Sequence, residues 1–118
     1  MKDTIAIIGS HPRTREHFDF NRTDADVWVF NEALKSPWCK RADAVFQMHD
    51  PIIWRSSTNR NDPNHYNWLK NTTVPVYMQE KYEDVPASIK FPLNELIADL
   101  FGDYKPIPYI TSSVAYAL

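Results

Sequence analysis

Short apolar runs separated by polar stretches are the main pattern of this chain. Four of them contain four or five residues rich in β-branched and aromatic side chains, which is typical of buried strands. They occupy residues 4–8, 27–30, 44–48 and 74–78, and a shorter run lies at 89–91. Because Pro75 has no backbone N–H to donate, we expect it at the start of the fourth strand or at a sheet edge.

Helical patterns lie between and after these runs. Asp62 followed by Pro63 is a favourable N-cap and first helical position, which predicts the start of a helix. The apolar face of that helix consists of His65, Trp68 and Leu69. Residues 93–101 predict a second helix, because apolar side chains recur there with the spacing of one helix face. We expect both apolar faces to belong to the core.

Strands that alternate with helices predict an α/β protein. We expect a Rossmann-like fold with a mostly parallel sheet of four or five strands and flanking helices. The chain has 118 residues, 43% hydrophobic and 24% charged, so we expect one core and a single domain spanning residues 1–118. The helical pattern at 110–118 stops after about two turns. We therefore expect the amino-terminal part of a larger fold, whose sheet further residues or a second copy of the chain could complete.

Charge and length exclude several classes of partner. The net charge of −2 supplies no basic field, so the chain lacks the main driving force for binding duplex nucleic acid. Its apolar runs are too short for a signal segment or a membrane span, so we expect a cytoplasmic protein with no membrane partner. Cys39 is the only cysteine, which excludes an internal disulfide and fits a reducing compartment.

The residue pattern predicts neither a metal site nor a resident cofactor. The four histidines lack paired ligand spacing, and one cysteine cannot form a metal-binding cluster. The chain also has no G-x-S-x-G sequence, so a serine hydrolase is not indicated.

The turn after the first strand carries the strongest chemical signal. A glycine turn with hydroxyl and guanidinium groups at the end of a strand is suited to binding phosphate. The candidate ligand-binding residues there are Gly9, Ser10, Arg13 and Thr14. The turn matches neither the G-x-G-x-x-G fingerprint nor the G-x-x-x-x-G-K-[ST] loop. Local turn capping with solvated arginines is the alternative.

Further candidates follow the second and third strands. Asn31 can contact a nucleobase or ribose, or it can cap the short helix that follows it. His49 and Asp50 are candidate catalytic residues, an acid and base pair, since strand ends line the crevice of open α/β sheets. A structural histidine in a capped turn is the alternative. Trp54 is the best of the four tryptophans for stacking on a base, because it lies in a predicted loop.

A last candidate lies near the carboxyl end of the chain. The sequence at 110–113, Ile-Thr-Ser-Ser, predicts a capped helix start. The amino terminus of a helix concentrates unpaired N–H groups and partial positive charge. Thr111 and Ser112 could therefore receive an anion.

Taken in chain order, three motifs resemble the amino-terminal half of a Rossmann-like group. They are the glycine turn with Pro12, Asn31 after the second strand, and Ile110-Thr111-Ser112 at a helix start. The group includes bacterial sialyltransferases that use a cytidine nucleotide sugar, the pterin-pyrophosphokinase-like domain of unknown function 115, and uncharacterised phage and bacterial proteins. The first loop of the sialyltransferases typically reads Gly-Asn-Gly-Pro-Ser. Gly9 and Pro12 match it here, while His11 replaces the second glycine.

The resemblance implies a nucleotide contact from Asn31 and phosphate or ribose contacts from Thr111 and Ser112. The family's catalytic base is a histidine in the carboxyl-terminal half, and this chain ends before any matching position. We therefore expect a nucleotide-binding glycosyltransferase-like domain, which would be an enzyme if the full-length protein supplies that half. Its ligand would be a nucleotide or nucleotide sugar. The alternative is a noncatalytic module that binds a small ligand or another protein and has kept the fold.

Overall fold

One sheet of five parallel strands forms the centre of the protein. The computed structural model describes residues 2–56 and 62–92, together with 95, 96 and 98. The strands are β1 (Thr4–Ile7), β2 (Ala25–Phe30), β3 (Ala44–Gln47), β4 (Val76–Met78) and β5 (Ser88–Lys90). They lie in the order in which they occur along the chain, and each neighbouring pair is parallel. The predicted α/β class and mostly parallel sheet of four or five strands are confirmed.

The strand ends follow from local backbone chemistry. β4 begins at Val76 because Pro75 has no N–H for the ladder, although the Pro75 carbonyl still accepts from the Val45 N–H at 2.9 Å. β2 begins at Ala25, before the apolar run, since its backbone already pairs there with Thr4. Backbone pairing therefore extends or trims each strand relative to its apolar run.

Short helical segments join the strands: the 3₁₀ turn Ala33–Lys35, α1 (Pro51–Trp54) and α2 (His65–Asn71). α2 begins two residues later than predicted, at His65 rather than Pro63. The reason is that the Asp62 carboxylate accepts from the Asn64 N–H, so residues 62–64 form a turn of their own. His65 is buried as predicted.

The predicted helix at 93–101 is described at three positions, 95, 96 and 98, which are helical. The N–H of Leu96 donates to the Pro92 carbonyl at 3.1 Å, as in the first turn of a helix. The predicted helix start at 110–113 lies outside the described residues. Within the described part of the chain, no helix is long and apolar enough to cross a membrane.

The strand order decides where the connections pack. Crossovers between parallel strands are right-handed, so crossovers that all advance in one direction place their connecting segments on the same face of the sheet. On that face, strand residues and residues of the connections form one buried cluster. Its members include Val27, Val29, Val45 and Val76 of the strands and Trp38, Trp54 and Leu69 of the connections.

The opposite face of the sheet is aromatic. Phe46 in β3 lies at its centre, with the ring centroids of four other aromatic side chains 5.0–6.3 Å away. These are Trp28, Phe30, Tyr77 and Phe91. The rings of Phe46 and Tyr77 are stacked, with an interplanar angle of 18°. This cluster ties β2, β3, β4 and the end of β5 together.

Replacing Phe46 by alanine should lower the free energy of unfolding by about 3–5 kcal/mol, because it leaves a cavity among the aromatic rings. Ile52→Ala is the control, since Ile52 is 76% exposed and its truncation should change stability by no more than about 0.5 kcal/mol. Urea denaturation followed by circular dichroism measures both variants. A loss at Phe46 as small as that at Ile52 would contradict this packing.

Candidate functional site

The carboxyl ends of the strands meet at one edge of the sheet, because every strand runs in the same direction. Candidate residues lie within about three positions of the ends of β1, β2 and β3 at this edge. They are Gly9, Ser10, Asn31, His49 and Asp50. Arg13 and Thr14 continue the turn after β1. Thr111 and Ser112, the remaining candidates, lie outside the described residues.

The turn after β1 is held by His11. Its carbonyl accepts from the N–H groups of Thr14 and Arg15 at 3.1 and 3.0 Å, and its Nδ1 accepts from the N–H of Arg13 at 3.1 Å. The side chains of Ser10, Arg13 and Thr14 are exposed. Turn capping therefore accounts for His11, which stands where the sialyltransferase loop that this turn resembles has its second glycine. The hydroxyl groups of Ser10 and Thr14 and the guanidinium group of Arg13 remain accessible from solvent.

The space beside Gly9 is open. A methyl group built on its Cα would meet no atom of the described residues within 4 Å. The turn itself is anchored by Arg15, whose guanidinium donates to the Ser10 carbonyl at 3.2 Å and lies 5.3 Å from the ring centroid of Trp38. Packing therefore does not demand a glycine at this position, and the backbone of Gly9 can be approached from outside.

Asn31 has the least ordinary conformation at this edge. Its φ is 53°, in the left-handed region that asparagine tolerates better than most residues. Its N–H donates to the Phe46 carbonyl at 3.1 Å, which holds its backbone against β3. Its side-chain Oδ1 is buried without a hydrogen-bond partner among the described residues. The residue at the N-cap of the following 3₁₀ turn is Glu32, so the alternative of Asn31 as a helix cap is wrong.

His49 and Asp50 follow β3, and both are exposed. Asp50 is the N-cap of α1, and its carboxylate accepts from the Ile52 N–H at 2.9 Å. No hydrogen bond joins the His49 and Asp50 side chains in the part of the chain that the structure describes. Asp50 thus has a structural role, and catalysis by this pair stays a prediction.

Trp54 does not offer a stacking surface to a base, so that prediction is wrong. Its ring is completely buried at the end of α1. It packs against Tyr66 and Tyr82, with centroid distances of 5.8 and 5.0 Å, and the Arg55 guanidinium lies 4.7 Å from its centroid. The helix α1, which the apolar pattern did not predict, turns this side chain into the core.

A buried polar pair lies behind the candidate edge. His65 is 0% exposed and Gln47 1%, and Nε2 of His65 lies 2.8 Å from Oε1 of Gln47. The imidazole also stacks on Trp68, with a centroid distance of 5.8 Å and an angle of 10°. Because an amide oxygen only accepts, Nε2 carries the hydrogen and Nδ1 keeps its lone pair. Nδ1 is buried and has no partner among the described residues.

Titratable side chains surround His65. Glu32, Lys35, Asp62 and His49 all act electrostatically on its imidazole, and Lys35 forms an ion pair with Asp62. Burial has the largest effect and holds the pKa of His65 below its ordinary value of 6.5. The hydrogen bond from Lys35 lowers the pKa of the Asp62 carboxyl. At neutral pH, His65 is therefore an uncharged imidazole beside an ionised pair.

The apolar face on which His65 lies predicts a core position for it and no chemical role. Two signals were present: Gln47 is a polar residue within an apolar strand, and His65 is a titratable residue on an apolar helix face. Buried polar groups are nearly always hydrogen-bonded, so both required partners. Spacing alone could not pair them, because 18 positions separate the two residues.

Two grooves lie apart from these residues. One, of about 600 Å³, is lined by residues 16–21 with Lys40 and Arg41. The other, of about 670 Å³, is lined by residues 86–90 with Thr73, Pro75 and Lys81. None of the described candidate residues lines either groove. The described residues also contain no group of three side chains placed to hold a metal ion. The candidate site therefore rests on the polar groups at the sheet edge.

No family model, curated protein or solved structure matches the chain. The resemblance to the sialyltransferase group therefore remains a prediction carried by its three motifs. What the edge of the sheet can bind has to be inferred from the geometry of its own residues.

His65→Phe should lower the free energy of unfolding by about 1–3 kcal/mol, because it leaves Gln47 buried without a partner. The double variant His65→Phe/Gln47→Leu should recover most of that loss, since both buried polar groups are then replaced by apolar groups of similar shape. Urea denaturation of the double variant, both single variants and the native chain measures the coupling. Losses that simply add in the double variant would contradict a direct contact.

Stability should decrease as the pH falls below the ordinary pKa of histidine. Because burial holds the pKa of His65 below 6.5, the unfolded chain binds a proton in this range before the folded chain does. The free energy of unfolding should therefore decline as the pH falls through about 6.5 and on towards the lower pKa of the folded chain. His65→Phe/Gln47→Leu should flatten this slope, whereas His17→Gln, at an exposed histidine, should retain it. The same slope in all three proteins would show that other groups cause it.

Proposed function

We propose that the protein binds a nucleotide or nucleotide sugar at the carboxyl ends of β1 and β2, as a glycosyltransferase-like domain. Asn31 is the observation that carries the proposal. The left-handed backbone and the buried, unpaired Oδ1 of Asn31 each cost free energy. Residues with such unfavourable features occur most often at ligand-binding and active sites. Oδ1 of Asn31 accepts hydrogen bonds and has no donor beside it among the described residues. A nucleobase or ribose carries N–H or O–H groups that would supply this donor.

The strand order supports a site beside β1. Open α/β sheets bind ligands outside the carboxyl ends of their strands, where the strand order reverses direction. The order β1-β2-β3-β4-β5 runs one way only, so no reversal occurs inside the described sheet. Among the described strands β1 pairs with β2 alone. A further strand that paired with the other edge of β1 would create such a reversal beside the strand that leads into the Gly9 turn.

The chemistry of the Gly9 turn is suited to a phosphate. Arg13 presents an exposed guanidinium, which binds phosphate through two parallel hydrogen bonds. Ser10 and Thr14 present exposed hydroxyl groups, and the open space beside Gly9 leaves the backbone approachable. A nucleotide lying along this edge would place its phosphate at the turn and its sugar or base near Asn31.

Binding is better supported than group transfer. The carboxylate of Asp50 is occupied as the N-cap of α1, which favours the second candidate function, a noncatalytic module that binds the same ligand. Glycosyl transfer depends on the resemblance and on a catalytic histidine that the family carries in its other half. The two candidates share the ligand and differ in whether a sugar is transferred.

Isothermal titration tests the binding step. The panel contains cytidine, uridine, adenosine and guanosine monophosphates, a cytidine nucleotide sugar, and inorganic phosphate. Saturable heat with at least one nucleotide, and less with inorganic phosphate alone, is the expected result. Absence of heat with every member of the panel would overturn the proposal. Release of free sugar from the nucleotide sugar would favour the enzyme over the binding module.

Arg13→Gln should weaken nucleotide binding by about tenfold to a hundredfold, because it removes a charged hydrogen-bond donor from the phosphate. Lys2→Gln is the matched control: it removes the same charge from an exposed residue that precedes β1, at the opposite edge of the sheet. Both variants should retain the thermal melting temperature of the native chain. Equal losses of affinity in the two variants would mean that net charge alone attracts the ligand.

A further inference from the structure

His11 has a hydrogen-bond donor that turn capping does not use. Its Nδ1 accepts from the Arg13 N–H at 3.1 Å. Because a backbone N–H only donates, Nδ1 keeps its lone pair, and the hydrogen of the uncharged imidazole is on Nε2. His11 is exposed, and no described residue accepts a hydrogen bond from its Nε2. The contact with Arg13 therefore leaves an N–H donor that a ligand can reach from solvent.

The backbone around His11 is held in place before any ligand arrives. Pro12 has a fixed φ and disfavours helical backbone at the residue before it. The His11 carbonyl accepts from the N–H groups of Thr14 and Arg15. Arg15 in turn donates to the Ser10 carbonyl at 3.2 Å. A donor whose position is fixed in advance loses less conformational entropy when it binds a ligand.

The groups beside His11 favour an anion with several oxygen atoms. Ser10 and Thr14 have exposed hydroxyls and Arg13 has an exposed guanidinium, so every residue from 10 to 14 except Pro12 offers a side-chain donor. A metal ion does not fit His11, because the Arg13 N–H already uses the lone pair of the uncharged ring. A phosphate has more acceptor oxygens than a carboxylate, so it can contact more of these donors at once.

We propose that the Nε2–H of His11 donates a hydrogen bond to the phosphate of the bound ligand, while the Arg13 N–H holds the ring in the tautomer that can do so. The inference rests on the proposed nucleotide site and adds a binding residue to its phosphate end. Arg13 then acts twice, through its backbone on His11 and through its guanidinium on the phosphate. The contact requires no positive charge on His11, because Nε2 carries its hydrogen in the uncharged ring.

The test removes Nε2 and keeps the turn. In His11→Asn, the amide oxygen can accept from the Arg13 N–H as Nδ1 does, but no atom reaches the position of Nε2. Isothermal titration should show that His11→Asn binds cytidine monophosphate about tenfold more weakly than the native chain does. Its binding of cytidine, which has no phosphate, should equal that of the native chain. His17→Asn, at another exposed histidine, is the matched control and should bind both compounds like the native chain.

A second readout separates this inference from the proposed function. Nitrogen-15 NMR of the histidine-labelled chain, at about pH 8.5, should show the hydrogen of His11 on Nε2. Cytidine monophosphate and inorganic phosphate should both shift the Nε2 resonance. If cytidine monophosphate binds, but His11→Asn binds it equally well or the resonance does not shift, the inference is wrong and the proposed function stands. If inorganic phosphate shifts the resonance and no nucleotide binds, the proposed function fails and the phosphate contact stands.

Two further results would overturn the inference. One is a free chain in which the hydrogen of His11 is on Nδ1, because the ring would then have no donor at Nε2. The other is an Nε2 resonance that neither cytidine monophosphate nor inorganic phosphate shifts.

Discussion

The parallel pairing of five strands in sequence order is the constraint on which the rest of the structure depends. Parallel strands need crossovers, and crossovers that advance in one direction collect the 3₁₀ turn, α1 and α2 on one face. The same pairing brings every strand's carboxyl end to one edge, so polar residues far apart in sequence become neighbours. The hydrophobic layer and the candidate site are therefore two consequences of one topology.

The boundary between core and site passes through α2. Leu69 and His65 are one helical turn apart on the same face, and both are completely buried. Leu69 joins the apolar cluster that packs against the sheet. His65 instead forms a hydrogen bond with Gln47 on β3. The interior therefore contains a hydrogen bond between side chains and a titratable group. A buried hydrogen bond of this kind contributes little net stability but is costly to break, so it fixes the geometry around it.

Some elements could be predicted from the sequence, and others could not. The strands were predictable because short runs of β-branched and aromatic residues favour buried strands over other structures. Trp54 was misplaced, because a four-residue helix such as α1 is too short to leave a periodic signal. The start of α2 was misplaced because Asp62 can cap either a helix or a turn, and the observed turn also positions its carboxylate for Lys35.

The sequence by itself determined that this chain forms strands, that they are parallel, and that glycine, asparagine and histidine follow them at one edge. Local composition and spacing decide the strands and the residues that follow them, whereas the parallel pairing was predicted from the alternation of strands with helical segments along the chain. Only the tertiary structure decided that Asn31 would be left-handed with an unpaired Oδ1, and that His65 would meet Gln47. These features depend on which groups from distant parts of the sequence become neighbours, and on which polar groups find no hydrogen-bond partner. The strand order and the register of the sheet determine both outcomes.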